Sequence, residues 1–165
     1  MSALPKLALS RITIAEFLDW PGDGTGRKFQ LIDGELQAMA PASSTHGRIQ
    51  ATLARLLGNH LAGSGCYVAV APGVIPRVRA EANMRVPDLA VSCEADDAGI
   101  HAMIEPILLV RSTHVAAELI RREPDGNWPA NSRAIVAEAP LVLESLDFSC
   151  PLAAIYEGTR FLASG

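Results

Sequence analysis

Residues 43–61 are the one long amphipathic stretch in a chain otherwise built of short apolar runs. Ile49, Leu53, Leu56, Leu57 and Leu61 recur there at three- and four-residue spacing, which places them on one face of a helix. Ser43 or Ser44 can cap its start, and Gly63 and Gly65 stop it. Beyond it the pattern changes. Residues 66–71 and 74–78 read as strands around Pro72-Gly73, and residues 86–93 read as another, apolar enough to suggest burial on both faces. Residues 107–110 form a further short apolar run, residues 115–122 a strand ending at the Pro124-Asp125-Gly126 turn, and residues 141–143 another. A helix is expected from Pro151 through Tyr156, since proline suits a first helical turn. The chain therefore reads as α+β.

The N-terminal part fits that reading. Thr13 and Glu16 have the spacing of a capping box, so a short helix should run through Phe17 and Leu18 to about Pro21-Gly22. Asp33-Gly34 separates two short runs, and this dipeptide tolerates the positive φ angles of a tight hairpin turn. Gly22, Gly24 and Gly26 lie between these elements without a strand before or a helix after, so they read as a loop and not a phosphate cradle.

At 165 residues the chain is long enough for a single domain, 1–165, with a full core. Its longest apolar runs fall far short of the roughly 20 residues a membrane helix needs, and residues 1–10 carry Lys6 but no signal-like apolar stretch. A cytoplasmic protein is the expectation. Cys66, Cys93 and Cys150 are widely separated and odd in number, which argues for reduced, buried thiols over a disulfide framework or zinc site. The four histidines form no H-x-H or H-E-x-x-H pattern. A net charge of −4 gives no global attraction to nucleic acid, though it leaves local basic patches open.

Chemistry is concentrated at Arg85-Val86-Pro87-Asp88-Leu89-Ala90-Val91, which sets a single carboxylate at the mouth of an apolar strand. The order of motifs around it is informative. Ile14-Ala15-Glu16-Phe17-Leu18, Phe29-Gln30-Leu31-Ile32-Asp33-Gly34-Glu35-Leu36, Ser43-Ser44-Thr45-His46, Ala71-Pro72-Gly73 and Asn83-Met84-Arg85-Val86-Pro87-Asp88 are followed by Glu118-Leu119-Ile120-Arg121-Arg122, Asp125-Gly126-Asn127-Trp128-Pro129 and Pro151-Leu152-Ala153-Ala154-Ile155-Tyr156. In this order the motifs resemble the Uma-type restriction endonucleases of the PD-(D/E)XK superfamily.

That resemblance implies a restriction-endonuclease-like mixed β-sheet flanked by helices and a DNA substrate. It implies Mg2+ or Mn2+ bound at Asp88, with Glu35 as a second metal ligand and His46 lining the catalytic site. Read from the residues alone, Glu35 could equally be a solvated hairpin residue sharing a face with Gln37, and His46 a surface or capping residue. The resemblance also implies a glutamate and a lysine on the strand after the aspartate, followed by a helix. Here residues 107–110 pass directly into Arg111, the only lysines are Lys6 and Lys28, and Gln30 stands at a position where the family commonly has glutamate. About 30 residues, roughly a core helix and a strand, are missing by this comparison.

Two functions are compatible with this sequence. One is a metal-dependent endonuclease, using Asp88, Glu35 and a further carboxylate from residues 94–105, with Arg77, Arg79, Arg85 and Arg111 on the DNA backbone. The other is a catalytically inactive nuclease-fold relic that binds nucleic acid or protein. Loss of a covering helix would leave one sheet face bare, so a homodimer is expected in either case.

Overall fold

The computed structural model describes residues 11–76, 79–93 and 107–162. Its contacts group into two compact units, the first of residues 11–41, 71–76 and 79–87, the second of residues 42–70, 88–93 and 107–162. Each unit is built differently.

In the first unit α1 (Ile14–Leu18) starts at the expected capping box: the Thr13 N–H donates to Glu16 Oε2 at 2.7 Å, and the Glu16 N–H donates to Thr13 Oγ1 at 3.3 Å. Phe17 is buried, and Trp20 meets Phe29 edge-on with ring centroids 4.9 Å apart. β1 (Phe29–Ile32) and β2 (Glu35–Ala38) pair antiparallel across Asp33-Gly34, whose φ angles of 49° and 81° are those the sequence requires. Leu31 is fully buried and exchanges backbone hydrogen bonds with Met84, while Val74 does the same with Arg85. Of the strand expected over 74–78, residues 74–76 show one isolated bridge at Val74, and Arg77 and Val78 lie outside the described residues. Asn83 is the buried polar hub of this unit. Its Oδ1 accepts from the Asp33 N–H at 3.0 Å, and its Nδ2 donates to Asp33 Oδ1 and to the Arg79 carbonyl.

The second unit is organised on α2 (Ser44–His60), capped by the Ser43 hydroxyl, which accepts from the His46 N–H at 3.2 Å. Its stripe of Ile49, Leu53, Leu57 and Leu61 is buried as the periodicity requires. β3 (Tyr67–Val70) and β4 (Leu89–Ser92) form an antiparallel pair. β5 (Ile107–Val110), β6 (Ala116–Ile120) and β7 (Arg133–Val136) make a three-stranded antiparallel sheet, and β8 (Pro140–Leu143) pairs with β9 (Phe148–Pro151). Every strand pairing among the described residues is antiparallel.

Leu141, Leu152, Ile155 and Tyr156 are fully buried at the centre of this core. The Tyr156 hydroxyl is shared between the Arg111 and Ala116 carbonyls at 2.7 and 2.8 Å and accepts from the Ala116 N–H at 3.2 Å. One phenol thus closes the β5–β6 turn. His60 Nε2 donates to the Leu146 carbonyl at 2.8 Å with its ring edge-on to Phe148, a structural role.

Several sequence expectations do not hold. The strand expected over 86–93 begins only at Leu89, because Pro87 has no N–H to give a ladder. All four β4 residues are half-buried, so an apolar run did not mean burial on both faces. Residues 152–156 are a 3-10 turn, since Pro151 is spent as the last residue of β9. Cys66 and Cys93 form a disulfide, where reduced thiols were expected. The pair directly continues the β3–β4 register past Tyr67 and Ser92, so strand pairing brings together cysteines that sequence spacing kept apart. Cys150 remains a free thiol.

Candidate functional site

Asp88 is the residue at which the chain enters β4, and the second unit surrounds it with groups from α2. His46 Nε2 lies 2.9 Å from Asp88 Oδ1. A carboxylate can only accept, so Nε2 carries the hydrogen and the lone pair of the neutral ring falls on Nδ1. One helical turn further on, Gln50 Nε2 donates to the Asp88 carbonyl at 2.7 Å. His46 and Gln50 stand four residues apart on one face of α2. The helix thus holds both the side chain and the backbone of Asp88. The two functional groups stay accessible, with 33% of the His46 side chain and 60% of that of Asp88 exposed.

The remaining sequence candidates are disposed differently. Glu35 opens β2 in the first unit and is exposed, on the same strand face as Gln30 and Gln37, whose amides bond across the ribbon at 3.1 Å. Arg79 donates to Asp33 Oδ1 at 3.0 Å, and Arg85 donates to Asn83 Oδ1 at 3.5 Å. Arg79 and Asn83 together hold the Asp33 carboxyl below its ordinary range. Arg111 pairs with Glu118, whose other oxygen accepts from the Ser132 hydroxyl at 2.6 Å; Ser132 and then Arg111 hold that carboxyl down. Arg77 and the carboxylates of residues 94–105 lie outside the described residues.

This geometry tests the implied metal. Among the described residues no three His, Cys, Asp or Glu side chains converge as a ligand set. Asp88 and His46 converge, but they are hydrogen-bonded to each other. β5, the next strand among the described residues, is Ile-Leu-Leu-Val and contributes no carboxylate or lysine. The described donors do not make the oxygen cage a resident Mg2+ takes.

Comparison with known proteins adds the family. The model of the family described as "Uma2: Putative restriction endonuclease" matches residues 14–132. The chain belongs to the Uma2 family. One protein similar to this Uma2 chain is an uncharacterized protein of Synechocystis sp., 27% identical over 189 residues, covering 95% of this chain and 97% of the relative. That alignment is longer than the chain itself, so the relative carries positions this chain lacks. A crystal structure of a putative nuclease belonging to DUF820 from Anabaena variabilis matches with a TM-score of 0.68 at 13% identity, over 88% of this chain and 97% of the other. The α+β class expected from the motifs holds, with the fold of that nuclease structure, but the mixed sheet flanked by helices does not: the described strands pair antiparallel in four small sheets. The family generally uses divalent metals.

Gln50 is the site residue that the sequence reading passes over. Its spacing of four from His46 on an amphipathic helix is the available signal. What it bonds is visible only once β4 is placed beside α2.

Proposed function

We propose that this Uma2 protein hydrolyses phosphodiester bonds in DNA, with Asp88 and His46 at the centre of the site. The observation that carries the reading is the 2.9 Å bond between them in a family of nuclease fold. Asp88 fixes the tautomer and aim of the imidazole, leaving Nδ1 as the atom that accepts a proton from the attacking water. Gln50 holds the strand end that carries the carboxylate. Divalent cations enter as an assay variable: Mg2+ and Mn2+ are the ions the family resemblance implies.

The test is digestion of plasmid and single-stranded DNA with Mg2+, with Mn2+ and with EDTA, comparing the protein with Asp88→Ala and His46→Ala. Loss of cleavage in both variants supports the reading. Equal digestion by all three proteins removes the pair from catalysis. A second reading, a nuclease-fold module that binds DNA without cutting it, is favoured by the lack of acidic or lysine residues on β5. It predicts DNA binding with no digestion under any of the three conditions.

The same reading includes a homodimer in the cytoplasm. Leu109 and Val136, 45% and 59% exposed, lie on one face of the β5–β6–β7 sheet, and a second copy is the proposed cover.

A further inference from the structure

The connection between β6 and β7 is built more elaborately than its position demands. It runs from residue 121 to residue 132, about twice the median length of a loop in a compact domain. Its tip is closed by its own bonds. The Glu123 N–H donates to the Asn127 carbonyl and the Gly126 N–H to the Glu123 carbonyl, each at 2.8 Å. The Asp125 carboxylate accepts the Asn127 backbone and side-chain N–H groups, both at 2.9 Å, and these two bonds hold its carboxyl below the ordinary range. Pro124 and Pro129 stiffen the two sides.

Against this frame stands Trp128. Arg122 donates to the Gly126 carbonyl at 3.1 Å and sets its guanidinium 4.8 Å from the Trp128 ring centroid. The tryptophan is nevertheless 39% exposed, whereas Tyr156, the large aromatic of the same unit's core, is fully buried. For a side chain of roughly 250 Å² this leaves on the order of 100 Å² open, about one ring face. The loop around it is polar and charged: Arg121, Glu123, Asp125, Asn127 and Asn131. A protein-binding hot spot needs an apolar, desolvated surround. A stacked base uses a π face whose surround stays polar, with cations nearby for the backbone.

We infer that this hairpin presents Trp128 as a stacking platform for an unpaired nucleobase, with Arg122 bracing the ring. It directs the protein to single-stranded or locally unpaired DNA in preference to continuous duplex, where neighbouring bases already cover each base face. The inference rests on the reading of DNA as the substrate. It does not depend on cleavage. The tip is fixed before the strand arrives, so little ordering cost opposes binding.

The experiment measures binding in EDTA, by anisotropy of a labelled oligo-dT, a duplex of the same length and an abasic strand of the same length. Intrinsic fluorescence of a Trp20→Phe background reports Trp128 separately. Expected are quenching of Trp128 by oligo-dT, tighter binding of oligo-dT than of the duplex or the abasic strand, and a loss of roughly 5- to 150-fold in Trp128→Ala that Trp128→Phe largely restores. Unchanged affinity in Trp128→Ala overturns the inference, as does an abasic strand bound as tightly as oligo-dT, or no binding of DNA at all. Asp88→Ala separates the two readings. If it and the parent protein fail to cut DNA yet show the same quenching, the hydrolytic reading falls and the stacking platform stands. Cleavage of single strands that is indifferent to Trp128→Ala removes the platform alone.

Discussion

Reducing the Cys66–Cys93 bond, or replacing both cysteines by serine, should destabilise the protein through its unfolded chain. The two residues are 27 apart in sequence, and a loop of that size corresponds to about 3.5 kcal/mol at 25 °C on the chain-entropy scale. The native contacts should change little, because Tyr67–Val70 and Leu89–Ser92 are joined by a four-residue ladder of their own. For a chain of this length the loss translates into a fall in Tm of roughly 7–14 °C. Thermal scans of the untreated protein, the protein with a phosphine reductant and the C66S/C93S variant measure it. Thiol titration in denaturant should find one reactive group, Cys150, before reduction and three after. In the folded state Cys150 should react slowly, since burial pushes its thiol up. Three thiols in the untreated protein would refute the reasoning at its root. A serine variant with the Tm of the oxidised protein would refute its energetics.

Further outcomes follow from single positions. Tyr156→Phe removes the hydroxyl that serves Arg111 and Ala116 and leaves part-buried backbone groups without it, a loss of about 1–3 kcal/mol in urea denaturation. Gly34→Ala should cost at least about 1 kcal/mol, because the site has φ of 81° and an added Cβ would come 2.8 Å from Arg11 Cβ; an unchanged urea midpoint would count against the hairpin geometry. The Thr25 hydroxyl and N–H, with Arg27, hold Asp23 down to about 2 from 3.8. Its contribution to stability is present above the unfolded value and is lost as pH falls through the folded one, so the Tm difference between the protein and Asp23→Asn should be nearly full above about pH 4 and fall away as pH drops below about 2. A difference that grows on acidification contradicts the sign. Leu109→Lys with Val136→Lys should convert a dimer to a monomer in sedimentation; a monomer before substitution removes the proposed homodimer.

Local rules made much of the fold legible. The Thr13–Glu16 box, the Asp33-Gly34 turn and the α2 stripe each depend on residues within a few positions, and each formed as the sequence required. The family motifs carried the fold class for the same reason, being short and in order. β7 and β9 have no such signature, because Arg133–Val136 and Phe148–Pro151 become strands through pairing with β6 and β8, and neither has a pattern that insists on it alone. The site divided along the same line. Asp88 and His46 could be chosen as candidates from their motifs, but their 2.9 Å contact and the bond from Gln50 join residues 42 and 38 positions apart. The disulfide escaped the sequence for this reason too: spacing argued against a bridge that register alone creates.

The β3–β4 pairing gives the chain a hinge point in its genetic layout. Val70 and Leu89 face each other across the ladder, so residues 71–88 leave one strand and return to the next within a single rung. That passage supplies Val74, Asn83 and Met84 to the first unit, and Asp88, its last residue, belongs to the second. Insertions, exchanges or grafts there can rebuild the first unit while the rung resets the strand at the same place each time. Asp88 is the last residue before that rung, which lets the neighbouring sequence diverge while the carboxylate returns to its position beside His46.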